Sequence, residues 1–252
     1  MGLTGAGGGI LAVPLLVFGL HLTVAQAGPV GLLAVGISAT LGAMIGLKTN
    51  VVRYRAALLV AGTGILMAPL GVWLAQHLNT RLMSVLFAAV LAWVAFKTFI
   101  ESRAHDIRAV PTGPVPACVR DTEKGRFLWT TKCARVLALA GGIAGLLSGL
   151  LGVGGGFVMV PALQRHTDLT ARSVVATSLA VIALVSLAGV VSSIATGQLN
   201  IEVGLPFAVG GAAGMGVGTV LSSLLSQRKL KLAFAVICAA VSVGMIAKSV
   251  GV

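Results

Sequence analysis

The stretch Leu150–Leu163, LLGVGGGFVMVPAL, sets Gly154, Gly155 and Gly156 in succession and Pro161 five residues further on, within a run free of charged and amide side chains. Successive glycines unwind a helix, since each must lose extra backbone entropy on folding and brings no side chain to hold the turn. Apolar composition and broken backbone conflict at this point. In hydrocarbon, irregular backbone survives only where it is buried in protein or lines a wet cavity.

The surroundings are apolar in both directions. Val136–Gln164 is an uncharged run of 29 residues. Leu22–Leu47, Ala56–Thr80, Ser173–Ile201 and Val203–Gln227 are further runs of this kind. Each meets the length of about 20 residues that a membrane-crossing helix needs. Two shorter runs, Leu82–Phe96 and Leu232–Ala247, are bounded by Arg81 and Lys97 and by Lys231 and Lys248, which can snorkel to the headgroups. Hydrophobic residues make up 57% of the 252-residue chain and charged ones 10%, against roughly 25% charged in a soluble domain. An all-α polytopic membrane protein is therefore expected. The formal net charge of +12 would suggest nucleic acid in a soluble protein. Here most Lys and Arg sit in short loops beside apolar runs, where cytoplasmic retention of basic residues accounts for them. With no aromatic-interleaved basic patch, no nucleic-acid partner is expected. The N-terminus has no basic n-region, so no cleavable signal peptide is expected.

The motif occurs twice. LTGAGGGILAVPLL, Leu3–Leu16, matches Leu150–Leu163 at an offset of 147 residues, aligning Gly7, Gly8, Gly9 and Pro14 with Gly154, Gly155, Gly156 and Pro161. The register holds onward: Thr49 pairs with Thr196, Gly64 with Gly211, Arg81 with Arg228 and Phe87 with Phe234. Two homologous repeats follow, 1–101 and 133–252, each a glycine-broken segment plus three transmembrane helices. Residues 102–132, rich in Pro, Gly and mixed charge, read as a cytoplasmic linker. The second motif is preceded by the apolar RVLALAGGIAGLLS, Arg135–Ser148, whereas only Met1 precedes Gly2. An unpaired chain end at this depth would strand backbone donors in lipid, which favours a true start upstream of Met1.

Loop charges separate two topologies. With eight full crossings the repeats are parallel and basic loops fall on both sides. With six crossings and two re-entrant glycine segments, the repeats are inverted and fifteen basic loop residues share one side, against Arg81 and Lys248 on the other. The positive-inside rule prefers the inverted arrangement. Length agrees: a straight helix of 29 residues would run about 43 Å through a core of about 30 Å. A tilted, broken, fully crossing segment is the alternative.

Glycines in membrane helices often serve close packing, which accounts for Gly62, Gly64, Gly210, Gly211, Gly214 and Gly218. It accounts poorly for a glycine triplet followed by proline. Broken helices at corresponding positions of two repeats point to a transporter's midplane binding site. Apart from the near-terminal Lys97 and Lys248, no Asp, Glu, Lys or Arg lies within a crossing, and Asp168 and Glu202 sit at segment ends. A cation site would need carboxylates at depth. Exposed N–H groups and the positive ends of half-helices instead favour a small anion. The expected substrate-binding residues are Gly7, Gly8, Gly9, Gly154, Gly155 and Gly156, with Pro14 and Pro161 as helix-break residues. Thr177 and Ser178 can add hydroxyls, or can simply bond a carbonyl four residues earlier; their first-half counterparts are Val30 and Gly31. His21, His77, His105 and His166 lie near segment ends, and Cys118, Cys133 and Cys238 form no CxxC pair. No catalytic cluster, cofactor or metal is expected, and the chain is read as a non-enzyme.

The doubled G-x-GGG-xxxx-P, the ATSL of Ala176–Leu179 and the basic central loop resemble the sulfite exporter TauE/SafE family, also called the toluene sulfonate uptake permease group. The resemblance spans essentially the whole chain. It implies a multi-pass inner-membrane transporter of sulfite, sulfonates and related sulfur-containing or organic anions. Two further readings stand beside a secondary transporter working by alternating access: a non-transporting membrane scaffold and a passive anion channel.

Overall fold

Without water to satisfy backbone groups, a lipid-embedded chain must bond its own N–H and C=O groups, and the apolar runs do so as helices. The computed structural model describes residues 8–49, 51–104, 118, 130–224 and 227–250. A 3-10 turn, Gly8–Leu11, leads into α1 (Ala12–Gly19). Then follow α2 (Val24–Lys48), α3 (Tyr54–His77), α4 (Thr80–Ala104), α5 (Thr131–Leu151), α6 (Gly156–His166), α7 (Ala171–Ala195), α8 (Ile201–Leu224) and α9 (Gln227–Val250). Seven of these, α2 to α5 and α7 to α9, are long and apolar enough to cross a membrane. Among the described residues there is no strand, only a bridge between Cys118 and Thr167. The protein is an all-helical polytopic membrane protein. Its outward faces are apolar too, with Leu66 71%, Val243 68% and Leu139 67% exposed, as a lipid solvent permits.

Capping residues set several boundaries. Thr23 accepts from the Gln26 N–H in a capping box, Thr130 accepts from Cys133, and Thr170 from Ser173. Thr130 thus starts α5 five residues ahead of the uncharged run at Val136. Of the expected linker 102–132, α4 takes up 102–104 and α5 begins at Thr131; most of the rest lies outside the described residues.

Contacts between small residues give the helix directions. Gly141, Gly145 and Gly149 of α5 meet Val60, Gly64 and Ala68 of α3 in the same order, so these helices run parallel. Leu32, Gly36, Gly42 and Gly46 of α2 meet Gly189, Ser186, Leu179 and Ala176 of α7 in reverse order, so these run antiparallel. At the end of α2, the Arg53 N–H donates to Thr177 Oγ1 at 3.2 Å, and Ser173 Oγ donates to the Val51 carbonyl at 2.7 Å. Accordingly α3, α5 and α7 all begin at one end of the bundle. That end also carries Lys48, Arg53, Arg55, Lys132, Arg135 and Arg172, whereas Arg81 and Lys248 lie at the other.

Tight packing explains only some of the glycines. A Cβ on Gly145 would fall on the backbone of Gly64, and one on Gly149 on the Ala68 carbonyl, so α3 and α5 touch backbone to backbone. Gly211 likewise faces Ser38 and Ala34. The packing expectation fails for Gly62, Gly210 and Gly214, which have nothing within 4 Å; they lie on outer faces. On the far side α4 packs against α9, where Ser242 Oγ donates to the Ala88 carbonyl at 2.9 Å.

Gly145→Leu should therefore lower the melting temperature of the detergent-solubilised protein or prevent its folding, since overpacking typically costs about 1–3 kcal/mol. Gly62→Leu should leave it near wild type. Thermal unfolding followed by size-exclusion chromatography checks the pair.

Candidate functional site

The expected broken segment resolves into two helices and a turn. α5, 21 residues long, ends where Gly152 turns left-handed at φ 72°; Gly154 and Gly155 follow at φ 80° and 65°, and α6 starts at Gly156. Left-handed backbone three times within four residues is affordable only to glycine. Cys118 shows where α6 leads. Its N–H donates to the His166 carbonyl at 3.0 Å, its carbonyl accepts from Asp168, and its sulfur is bonded to Cys133 at the start of α5. The start of α5 and the end of α6 thus lie together, and the pair enters and leaves at the same end. This disulfide was not legible in the sequence, where the two cysteines are 15 residues apart with a polar loop between them.

The turn sits midway through the bundle. A Cβ on Gly154 would lie 2.5 Å from Val35 Cγ1, 3.0 Å from Ile182 Cγ2 and 3.3 Å from Ser186 Oγ, residues near the middle of α2 and α7. Gly152 meets the backbone of Gly28, and Gly155 meets the carbonyl of Ala144. Residues 151–157 are all buried. Among the described residues no hydrogen bond takes up the N–H groups of Val153, Gly154, Gly155, Gly156 or Phe157. Ser148 Oγ and Ser186 Oγ are likewise buried without a partner.

The first motif approaches the same place from the opposite end. Gly7 lies outside the described residues, while Gly8 and Gly9 form the 3-10 turn that opens into α1. α1 leads outward: Lys248 Nζ donates to the Val17 carbonyl at 3.2 Å, and Phe18 packs on Gly244. Inward, Ile10 and Val13 share a buried cluster with Leu150, Leu151, Val153 and Phe157. A Cβ on Gly31 would lie 2.8 Å from the Gly152 carbonyl and 3.1 Å from Val13 Cγ2. The second glycine turn and Val13, at the start of α1, thus border the same stretch of α2.

Other expected residues are placed differently. Pro14 lies inside α1 and Pro161 inside α6, so the second break is made by Gly152–Gly155 and the prolines belong to the short helices that follow each motif. Pro14 is the third residue of α1, where an N–H would have no intrahelical partner, whereas Pro161 is the sixth residue of α6 and forgoes one helical bond. Thr177 and Ser178 lie in the first third of α7, where Thr177 accepts from Arg53 and Ser178 Oγ donates to the Val174 carbonyl at 2.8 Å. Eight residues separate Ser178 from Ser186, about 12 Å along the helix. Asp168 and Glu202 are at helix ends, far along the bundle from the turn.

A bundle of apolar helices with a helix pair that turns back midway, and with no charged side chain at that turn among the described residues, defines a polytopic membrane protein. The chain belongs to the sulfite exporter TauE/SafE family, whose profile matches residues 1–245. It is 29% identical over 252 residues to a probable membrane transporter protein of Xylella fastidiosa strain Temecula1, covering 99% of this chain and 90% of that protein. A probable membrane transporter protein of strain 9a5c is 28% identical over 253 residues, with 99% and 90% covered. The probable membrane transporter protein YunE of Bacillus subtilis strain 168 is 26% identical over 238 residues, with 90% and 85% covered. No solved structure matches the chain.

The cysteine bond can be counted directly. Maleimide added to the unfolded, unreduced protein should modify only Cys238, and all three cysteines after reduction; intact-mass spectrometry reads the difference.

Proposed function

We propose that the protein is a permease for small anions, foremost sulfite, sulfonates and related sulfur-containing or organic anions, working by alternating access in the cell (inner) membrane. One observation carries this reading: five consecutive N–H groups of buried residues, Val153 to Phe157, have no partner among the described residues midway through the bundle. Leaving a buried donor unsatisfied costs about 1–3 kcal/mol each, a burden that an acceptor-rich ligand or its water substitute removes. The N-terminus of α6 adds a partial positive charge, contributing about 0.3–2 kcal/mol toward an anion. With Gly154–Gly156 on one side and Gly7–Gly9 on the other, the ligand is held by backbone from both halves. Thr177 supports that site from one end, by accepting from the Arg53 N–H and so holding α7 against the α2–α3 turn, while Ser178 bonds only its own helix.

Helix directions favour inverted repeats, since α2 and α7, paired by the 147-residue offset, run antiparallel. Broken helices in two inverted halves are a recurrent transporter plan. The basic end, with the 102–132 linker, is assigned to the cytoplasm on the positive-inside rule. The Cys118–Cys133 bond weighs against this assignment, because disulfides are rare in reducing compartments. The charge asymmetry outweighs it, as it involves every loop.

In proteoliposomes the wild-type protein should take up sulfite with saturation. Gly154→Ala, which places a methyl in the turn in a left-handed conformation costing about 1–2 kcal/mol, should cut that uptake by about tenfold or more. Absence of uptake by the wild type points to the scaffold alternative, and uptake linear in concentration to a channel. Labelling of a cysteine placed at Lys132 in a Cys-free background, with membrane-impermeant maleimide on intact cells, reads the orientation; protection is expected.

A further inference from the structure

Two side-chain hydroxyls beside the turn serve nothing in the fold. Ser148 on α5 and Ser186 on α7 are both 0% exposed, and neither Oγ has a hydrogen-bond partner among the described residues. A serine within an apolar helix ordinarily turns its hydroxyl onto the carbonyl four residues earlier. On α7 itself Ser178 does so to Val174 and Ser193 to Gly189, both at 2.8 Å. Ser186 does not. Its Oγ lies 3.3 Å from where a Cβ on Gly154 would be. Ser148 stands one turn beyond Ala144, the residue that abuts Gly155, and its own carbonyl accepts from the Gly152 N–H at 2.9 Å. Ser186 Oγ therefore borders the break that holds the N–H groups of Val153–Phe157, and Ser148 stands in the last turn of α5 directly before it.

We propose that Ser148 and Ser186 are direct ligands of a small oxyanion bound at the break, completing with the backbone N–H groups a shell of neutral donors. This rests on the transport reading above and adds to it the side chains that select the ligand. Each hydroxyl would gain a charge-assisted bond that the fold denies it. Donors arriving from α5, from α7 and from the turn between α5 and α6 suit a compact centre bearing several acceptor oxygens, as sulfite has. A methyl at Gly154 would already meet Val35 and Ile182, so a bulky substituent on the ligand is disfavoured there. With no Lys or Arg at the turn, the anion is held by dipoles alone, and its release is not opposed by an ion pair.

The test compares wild type, Ser148→Ala, Ser186→Ala and Ser193→Ala in sulfite uptake by proteoliposomes, alongside melting of each ligand-free protein in detergent. Ser148→Ala and Ser186→Ala should each raise the half-saturating sulfite concentration about tenfold or more. Their ligand-free melting temperatures should match or exceed wild type, because removing an unsatisfied hydroxyl relieves its desolvation cost. Ser193→Ala should leave half-saturation unchanged. Should either alanine variant fail to fold, the near-isosteric Ser148→Cys or Ser186→Cys, a poor donor, should show the same rise. Saturable wild-type uptake with unaltered half-saturation in the Ser148 and Ser186 variants overturns this proposal while leaving the transport reading intact. A lowered ligand-free melting temperature with reduced maximal uptake and unchanged half-saturation assigns the hydroxyls to structure and also overturns it. No uptake by the wild type overturns both.

Discussion

Hydrogen bonding of the backbone in hydrocarbon is the constraint on which the rest of this structure depends. Helices meet it internally, and most of the chain is helix. Gly152–Gly155 does not, and the consequence spreads outward. A segment whose N–H groups have no partner among the described residues must be kept from lipid, so α2, α5 and α7 close around it, and Gly31 and Gly36 let α2 approach where a side chain would crowd Gly152 and Ser186. The smallest residues of the bundle lie around its least regular backbone.

The same constraint gives the site its chemistry. Among the described residues no carboxylate, amine or imidazole lies at this glycine turn, and the polar groups there are backbone N–H and C=O groups and the Ser186 hydroxyl. Helix α6 starts at the turn and ends at the basic end of the bundle, so its dipole points the positive terminus inward.

Much of this was legible in the sequence. Composition and run length established the helical membrane class, since no other architecture tolerates so few charges, and the doubled glycine motif located the break. Loop charges preferred a segment that returns to its own side, as the α5–α6 pair does. Other features depended on coordinates. Ser148 and Ser186 look like any serines in apolar helices, and only geometry separates Ser186 from Ser178 and Ser193, whose hydroxyls are bonded to their own helix. Gly62 and Gly214 carry the same letter as Gly145, yet face outward, because a one-letter pattern does not say which side of a helix has a neighbour. Pro161 looked like the stop and proved to lie within the short return helix, the unwinding having been completed by glycines before it. The Cys118–Cys133 pairing had no signal, because spacing across a polar loop does not fix proximity.

The seam between α3 and α5 also has a mechanical meaning. Helices whose carbonyls sit against each other's α-carbons, as at Gly64 and Gly145 or Ala68 and Gly149, cannot slide or tilt past one another without first separating. α3 comes from the first half of the chain and α5 from the second, so this join fastens the two halves together along their length. Shear of α3 against α5 is thereby opposed, so the two helices act as one strut.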